Sequence, residues 1–592
     1  MREKVKTFFV IFLILWASLA GISLFLERIN VKIEDRFVPV TVNGTTFDIN
    51  LLVIKPQGIE WNKNYAIVLF HTLLLSAYSL KPLGIELARR GFVVIIPDLP
   101  GHGYSEGELP IFFNASDLGI LVASAVTYIK DFFDFIVGYA KKEVNPSGPS
   151  NVKLIFIGHS FGGGIALLYA ALRKDVCATI TISPVGISSV FRNPEFSFFS
   201  DYLNRSNPKN VLLIVPPIDE VNSENEIKKV LEILGIERPE IGKIYGDFED
   251  GTARMLIKSS LSEHFTVQFT RKTMVEIIKW ISKVTKLNLD TSIMMEPIRV
   301  FLTYLSLTSG IFSLFLIGPA ISERFGLISG GRRWPRFELK IKAVKAGLLW
   351  SFITILFTIM LALPIFLIVA YFEVPALVGP ASVFGYYIGS VLSLVLIISK
   401  WRKIPAKETI RLFIIELYKD ARNVLFGLLI AALLFIIFQS TISQISVPVI
   451  IIDLKKLVGL LIFYPLALLF SIPYDFLFRR EIQEAFGGGT ISAAAIAAGL
   501  STLARLIYIL MIAGIIMLIT GLLGFGLLII FLLFLVQIVA ETLAATLYLA
   551  TREIIPEAVS NSIFWLALTF ALSPSLVILH YYVSFAGIIL YK

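Results

Sequence analysis

The sequence predicts two architectures in one chain: an α/β domain with a mostly parallel sheet covered by helices on both faces, and an all-α polytopic membrane region. Three observations carry this prediction. Apolar residues make up 56% of the 592 residues and charged residues 16%, against roughly 45–50% and 25% in soluble domains. The surplus is uneven, filling residues 7–26 and most of the chain after residue 298. In between, short β-branched runs alternate with helical stretches, the pattern of a parallel sheet buried on both faces. A fully soluble protein and a disordered or acidic scaffold are thereby excluded. The single Cys177 excludes an intrachain disulfide framework or a multi-Cys metal site. The histidines (71, 102, 159, 264, 580) lack H-E-x-x-H spacing, so no metal or cofactor is expected. One cysteine and few glutamines accord with a thermophile.

Residues 7–26 (TFFVIFLILWASLAGISLFL) carry no charge, and ~20 apolar residues cross a ~30 Å hydrocarbon core. Arg2, Lys4 and Lys6 precede them, as in a signal peptide or signal anchor. The run exceeds a typical signal-peptide core, and Ala17-Ser18-Leu19-Ala20 lies inside it. Residues 1–30 therefore read as an uncleaved anchor, with cleavage after a small residue as the alternative. Either way the basic end stays cytoplasmic and the next domain lies outside.

Residues 31–290 form the predicted α/β domain. Residues 37–54 alternate around Val42-Asn43-Gly44-Thr45, and Asn-Gly is a strong hairpin signal. Apolar runs at 65–70, 92–96, 152–157, 178–182 and 211–215 read as strands. Helices are expected at about 79–90, 116–140, 162–173 and 223–234. Within this frame Gly158-His159-Ser160-Phe161-Gly162 fits G-x-S-x-G, directly after the strand VKLIFI and directly before the helix GGGIALLYAALR. That setting is what a nucleophile elbow requires: a tight turn lifts the serine Oγ above the sheet, and the glycines admit close backbone.

With this elbow, 92–105 (FVVIIPDLPGHGYS) and His71-Thr72-Leu73, the sequence resembles the α/β-hydrolase family over about residues 37–285. The stretch 92–105 looks like the family's strand and D-x-x-G-H-G-x-S loop, and His71 begins its H-G-x segment, with Thr72 where the family usually has glycine. The resemblance implies a serine hydrolase whose nucleophile, acid and base follow in that order. Ser160 is then the nucleophile. His264, the one histidine after it in the soluble part, is the base. Asp219 in NVLLIVPPIDEV is the expected acid, with Glu220, Asp247, Glu249 and Asp250 as rivals. The resemblance places the oxyanion donors at the backbone N–H groups of Phe161 and Leu73. His71 and His102 are expected to structure loops, and Asp98 to brace its own.

The insert at about 184–210 stands where the family carries its lid. Phe191, Phe196, Phe198, Phe199 and Tyr202 make it aromatic, which fits either packing over the sheet edge or a rim that meets a substrate acyl chain or the bilayer. Asn43, Asn114 and Asn204 begin N-glycosylation sequons, a pattern that chance also supplies.

From 298 to 592, apolar stretches fall at about 298–321, 346–372, 381–399, 424–445, 457–474, 504–522, 525–550 and 561–590, about eight helices beyond the anchor. Lys and Arg crowd residues 323–345 and 400–423, are absent from 373–380 and return at Arg479 and Arg480. This alternation puts residues 31–297 outside the cell membrane and explains the net charge of +9 as topology, leaving a nucleic-acid reading without support. Residues 486–499 are rich in Gly and Ala but lack the lysine of a phosphate loop. Ala494 with Ala498 and Ala495 with Gly499 permit close helix packing. Gln537, Glu541 and His580 are the intramembrane polar groups, and Glu541 is expected to pair with Arg505 or His580. The expected protein is an integral-membrane serine esterase acting on a lipid or acyl ester, such as a monoacylglycerol or lysophospholipid, with membrane lipids as neighbours. A serine peptidase or thioesterase is the alternative. A transporter or receptor with an accessory hydrolase domain is the rival of another class. The sequence leaves oligomeric state open.

Overall fold

The computed structural model describes residues 2–572 except 74, 108, 110–117, 192, 328–339, 373–377, 418–420, 446–453 and 521–522. Helix α1 (Arg2–Glu27) leads into the hairpin β1 (Val31–Val42) and β2 (Thr45–Pro56). Its turn residues Asn43 and Gly44 have φ of 49° and 79°, the left-handed pair that a two-residue hairpin demands and Asn-Gly tolerates.

The remaining strands are β3 (Tyr65–Phe70), β4 (Val93–Pro97), β5 (Lys153–His159), β6 (Val176–Ile182), β7 (Val211–Val215), β8 (Ile244–Tyr245) and β9 (Arg254–Lys258). They form a nine-stranded sheet in the order β1-β2-β4-β3-β5-β6-β7-β9-β8. The six strands β3, β4, β5, β6, β7 and β9 run parallel. The hairpin and β8 add antiparallel edges. The helices are α2 (Lys81–Ala88), α3 (Leu118–Tyr128), α4 (Lys130–Val144), α5 (Phe161–Ala171), α6 (Ile187–Val190), α7 (Phe199–Tyr202), α8 (Glu224–Ile233) and α9 (Arg271–Thr285). One face of the sheet packs Phe132, Ile165 and Ile227 of α4, α5 and α8. The other packs Leu83 of α2 and Met274, Ile277 and Trp280 of α9. Both faces are thus dry, which is why the central strands read as continuous apolar runs.

Two departures from the sequence reading stand out. The predicted helix 116–140 divides at Ile129 into α3 and α4. The sequence reading did not find β9, whose segment RMLIK is charged at both ends. Arg254 is nevertheless fully buried. Its guanidinium donates to the carbonyls of Ala253 at 2.9 Å, Arg205 at 3.0 Å and Pro208 at 2.6 Å. The carbonyls that meet its two Nη groups let a cation sit where periodicity expects an apolar residue.

The helical region comprises α10 (Glu296–Ile321), α11 (Lys340–Phe372), α12 (Val378–Arg402), α13 (Ala406–Leu417), α14 (Ala421–Ser440), α15 (Leu454–Asp475), α16 (Ile491–Thr520), α17 (Leu523–Thr551) and α18 (Ile555–Leu572). Among the described residues, six helical segments are long and apolar enough to cross a membrane: Glu3–Glu27, Glu296–Arg324, Lys340–Leu361, Ala421–Gln444, Ile491–Leu510 and Phe534–Thr551. The basic stretch 400–423 contains a helix of its own, α13. Arg332, Arg333, Arg336, Asn114 and His580 lie outside the described residues. Ala494 and Ala498 pack on Ala545 of α17, whereas Ala495 and Gly499 face outward. Arg479, one of the two cations that mark the next basic side in the sequence, has its side chain fully buried in an ion pair with Glu541. A helix-end cation and a carboxylate on a neighbouring helix cancel each other's burial cost more fully than either could alone. Glu541 also lies 3.5 Å from Arg505.

The two halves meet at a buried seam of charge. Lys81 Nζ of α2 lies 3.1 Å from Glu27 of α1 and donates to Gln444 Oε1 at 2.9 Å. Arg299 of α10 bridges Glu27 at 2.9 Å and Glu296 at 2.5 Å. Arg89 pairs with Glu296 at 2.9 Å. Glu86 accepts from Arg90 at 2.6 Å and from the Glu296 backbone N–H at 2.7 Å. These contacts seat α2 on both α1 and α10.

Candidate active site

Parallel strands end at one edge of a sheet, so the loops after β3, β5, β7 and β9 converge there. Ser160 sits between β5 and α5 with φ 55° and ψ −117°, a strained conformation for a non-glycine residue. Two close approaches hold it. A Cβ on Gly158 would meet the Gly162 carbonyl oxygen at 2.0 Å, and one on Gly162 would meet the Phe70 oxygen at 2.0 Å. Only glycine fits at either position, and Gly162 brings the start of α5 against the loop after β3.

His264, in the loop after β9, turns Nε2 to Ser160 Oγ at 2.8 Å and Nδ1 to Asp219 Oδ1 at 2.9 Å. Ser160 and His264 are buried to 6% and 1% exposure, which shields this row from water. Asp219 Oδ1 also accepts the backbone N–H groups of Val221 at 3.0 Å and Asn222 at 2.9 Å. Its Oδ2 accepts from Ser183 Oγ. Burial works to raise the Asp219 pKa, but hydrogen bonding and charge from His264, with Ser183 and the Asn222 N–H, outweigh it and hold the carboxyl below its usual range. The carboxylate is thus ionised, and its hydrogen bond selects the tautomer with the proton on Nδ1.

The rivals lie elsewhere. Glu220 Oε2 accepts the backbone N–H of His264 at 3.2 Å, so it steadies the loop rather than the ring. Asp247, Glu249 and Asp250 are exposed, and Glu249 pairs with Lys286 at 2.6 Å. Phe161 opens α5, and a helix's first N–H has no intrahelical acceptor. Leu73 is half-buried in the turn after β3.

Three supporting groups had no sequence signature. Ser183 directly follows β6 at φ 47° and reaches Asp219. His159, inside the elbow, bonds through Nε2 to the His264 carbonyl oxygen at 2.8 Å. Glu263 caps the turn after His264 by accepting from the N–H groups of Phe265 at 2.7 Å and Thr266 at 2.8 Å. His71 bonds through Nδ1 to the Thr72 carbonyl at 2.7 Å and accepts the Leu99 N–H on Nε2 at 2.9 Å, linking the loops after β3 and β4. His102 bonds through Nδ1 to the Pro100 carbonyl at 3.1 Å. Asp98 accepts from Ala77 N–H at 2.6 Å, Tyr104 N–H at 3.0 Å and Asn50 Nδ2 at 3.0 Å.

Three rings of the aromatic insert follow the first of its two readings, packing over the sheet edge. Phe196 and Phe199 are buried in the domain core, and Phe191 packs against it. Sheet-edge packing claims these three rings because each removes apolar area from water. Only Phe198, stacked on Phe199 at 4.5 Å, and Tyr202 remain exposed, at 38% and 44%.

Burial predicts acid lability. Desolvation, with the neighbouring His102 or His264 ring, lowers the pKa values of His71 and His159 to about 3. Each then binds no proton when folded but does so near 6.5 when unfolded. Their stabilising contribution is full above pH 6.5 and falls as pH drops toward 3. Asp98 acts oppositely: burial, against its backbone and Asn50 hydrogen bonds, raises it to about 6. From pH 6.5 to 5 the two histidines lose about 3 kcal/mol and Asp98 returns about 1 kcal/mol, a net cost of about 2 kcal/mol. Denaturant unfolding of the hydrolase domain at the two pH values measures it. Equal stabilities would mean that these rings are hydrated.

Residues 65–201 match the family model described as alpha/beta hydrolase fold, and the domain containing them has that fold. A comparison with curated proteins found no match. Solved structures similar to the chain include a CIB-like hydrolase from Thermoplasma acidophilum, 17% identical, covering 43% of this chain and 99% of that one with TM-score 0.28. A membrane phospholipase A, a bacterial virulence factor, is 18% identical over 46% of this chain and 93% of its own, TM-score 0.29. An esterase from Pyrococcus furiosus is 17% identical over 43% and 91%, TM-score 0.28.

Proposed function

We propose that the protein is a membrane-embedded serine hydrolase that cleaves carboxylic esters, with single-chain lipid esters such as monoacylglycerols or lysophospholipids as substrates. The observation that carries this reading is the hydrogen-bonded row from Ser160 Oγ through the His264 ring to Asp219, set on a strained elbow. His264 Nε2 takes the Ser160 proton as Oγ bonds to the acyl carbon. The carbonyl electron pair moves onto oxygen, held by the N–H groups of Phe161 and Leu73. Collapse expels the alcohol, which leaves with the proton from His264. Water, deprotonated by the same nitrogen, then releases the acid from the acyl-enzyme. Asp219 keeps the ring oriented and stabilises the imidazolium.

The lipid assignment is supported by where the site sits. The turn Ala77–Ser79, after the Leu73 loop, packs on the turn Ile442–Gln444 that follows α14, and the turn Val267–Phe269, after His264, packs on α10. Both loops of the site thus rest on membrane helices, where the local concentration of lipid is high. Hydrolysis should rise severalfold for each added methylene until an acyl passage is full, since a buried methylene contributes ~0.8 kcal/mol. Aspartates at Phe198 and Tyr202 should weaken long-chain turnover more than acetyl-ester turnover. A flat chain-length series in a non-ester detergent would sink the lipid assignment. Faster cleavage of a peptide or thioester would select one of those classes instead.

The charge alternation supports an extracytoplasmic hydrolase domain with a cytoplasmic N-terminus. Single cysteines at exposed positions of the hydrolase domain should react with an impermeant thiol reagent on intact cells, and cysteines in 400–423 should not. The reverse labelling would invert the orientation.

A further inference from the structure

We propose that the helical domain holds a second ligand site, a mid-bundle cavity that takes the carboxylate end of a long-chain amphiphile; its natural occupant, if the esterase reading above holds, is the acid that reaction releases. The cavity, about 180 Å³, lies between α12, α15, α16, α17 and α18, and its walls include Tyr386, Tyr387, Phe470, Tyr474, Arg505 and Gln537. Arg505 is the only charged residue among the described residues that line it.

The hydrogen bonding of Arg505 asks for a partner. A guanidinium has five donors. Arg505 Nη1 donates to Gln537 Oε1 at 3.2 Å, and the plane stacks on Tyr474 with its carbon 3.9 Å from the ring centre. Its Nε is buried and bonds to nothing among the described residues. Glu541, the nearest carboxylate, is already engaged: it pairs with Arg479 and accepts from Tyr474 Oη at 3.2 Å and Gln537 Nε2 at 2.5 Å. A purely structural ion pair needs only Arg479 and Glu541. Arg505, which also lies 3.5 Å from Glu541 through Nη1, adds a second cation on the cavity wall whose Nε edge is unmet among the described residues, and an unmet donor inside a bilayer is costly. A carboxylate offers two coplanar acceptors that fit that edge. The rings of Tyr387 and Phe470, stacked at 4.7 Å, supply an apolar wall for the adjoining methylenes.

The backbone is irregular at the same level. Helix α15 contains Pro465 and Pro473 and continues into a π-helical turn, Phe476–Gln483, which carries Arg479. Such widened turns are rare and cluster at functional sites, and interrupted spanning helices occur where they line a cavity.

The test uses full-length Ser160→Ala protein in phosphatidylcholine nanodiscs and a diazirine-bearing palmitic acid. Light should crosslink the probe to peptides of α12, α15 and α16 in a saturable manner. Unlabelled palmitate should compete; methyl palmitate and acetate should compete roughly tenfold or more weakly, lacking the charge or the chain. Arg505→Gln should weaken labelling by a similar factor, and Arg505→Lys less. If Arg505→Gln does not fold, competition in the Arg505 protein still decides. Equal competition by methyl palmitate would reduce the cavity to a greasy gap. Acetate competing as well as palmitate would make it a site for small soluble anions, and unsaturable labelling along the bundle would remove the site. Each of these overturns the proposal. Because the acid is supplied directly, they are independent of whether Ser160 cleaves esters.

Discussion

Ser160→Ala should abolish fluorophosphonate labelling and lower ester turnover by on the order of 10⁵–10⁶-fold. Under the proposed mechanism Ser160 is the nucleophile, and its Oγ is the atom that the elbow presents to Nε2 of His264, at 2.8 Å. His264→Ala should cost about as much, and the double variant no more than either single one, because the two residues act in one step. Asp219→Asn should cost roughly 10⁴-fold, since the amide stabilises the wrong ring tautomer. Glu220→Gln should cost tenfold or less, because its carboxylate meets only the backbone N–H of His264 and one such bond is worth about 1–2 kcal/mol. Turnover of a p-nitrophenyl ester and gel-based probe labelling report all four. Labelling that survives in Ser160→Ala would falsify the assignment, and equal losses in Asp219→Asn and Glu220→Gln would return the acid to an open choice.

The second large effect concerns the seam between the two halves. Arg299→Met should destabilise the docked state by about 3–5 kcal/mol, the typical cost of removing one partner from a buried ion pair. Arg299 is fully buried and stands between Glu27 and Glu296, so its loss leaves two carboxylates facing each other without a shared cation. Adding Glu27→Gln and Glu296→Gln should recover much of the loss, because the penalty comes from stranded charge rather than from the absent bond. Protease sensitivity of the linker 286–295, measured against denaturant, reads the docking equilibrium. A single variant as resistant as the wild type would mean that apolar packing alone seats the hydrolase on its tethers. Lys81 links this seam to the site, since α2 follows directly on the turn Ala77–Ser79, whose first N–H bonds Asp98. Undocking should therefore lower turnover as well as stability.

The fold class was legible because it depends on local pattern. Buried parallel strands must be apolar on both faces, so β3, β4, β5, β6 and β7 appear as unbroken runs at the positions read from the sequence. The Asn43-Gly44 turn marks a left-handed backbone that few other residues adopt, and the glycines at 158 and 162 mark close backbone approaches that leave no room for a Cβ. β9 was illegible because its end residues are cations: Arg254 is met by carbonyls from the Arg205–Pro208 and Gly251–Ala253 loops and Lys258 by the Glu224 carboxylate, partners that lie far away in sequence or outside the strand. Phe196 and Phe199 were undecided for a different reason: an aromatic cluster looks the same in sequence whether a core or a surface takes it.

By itself the sequence determined the order of the parts: an apolar helix with a basic start, an α/β sheet with a serine at its elbow, and a long apolar helical region. Each follows from residue type and spacing along the chain, which act over a few residues. The tertiary structure alone decided which carboxylate faces His264, because Asp219 and Glu220 are neighbours in sequence and only the packing of the loops after β7 and β9 points one at the ring and the other at the backbone. It also decided the fate of the charges. Lys81, Arg299 and Arg479 look like surface or membrane-edge cations until Glu27, the partner of Lys81 and Arg299, and Glu541, the partner of Arg479, are brought from other helices. Burial of an ion depends on what stands opposite it in space, and that is a property of the whole fold.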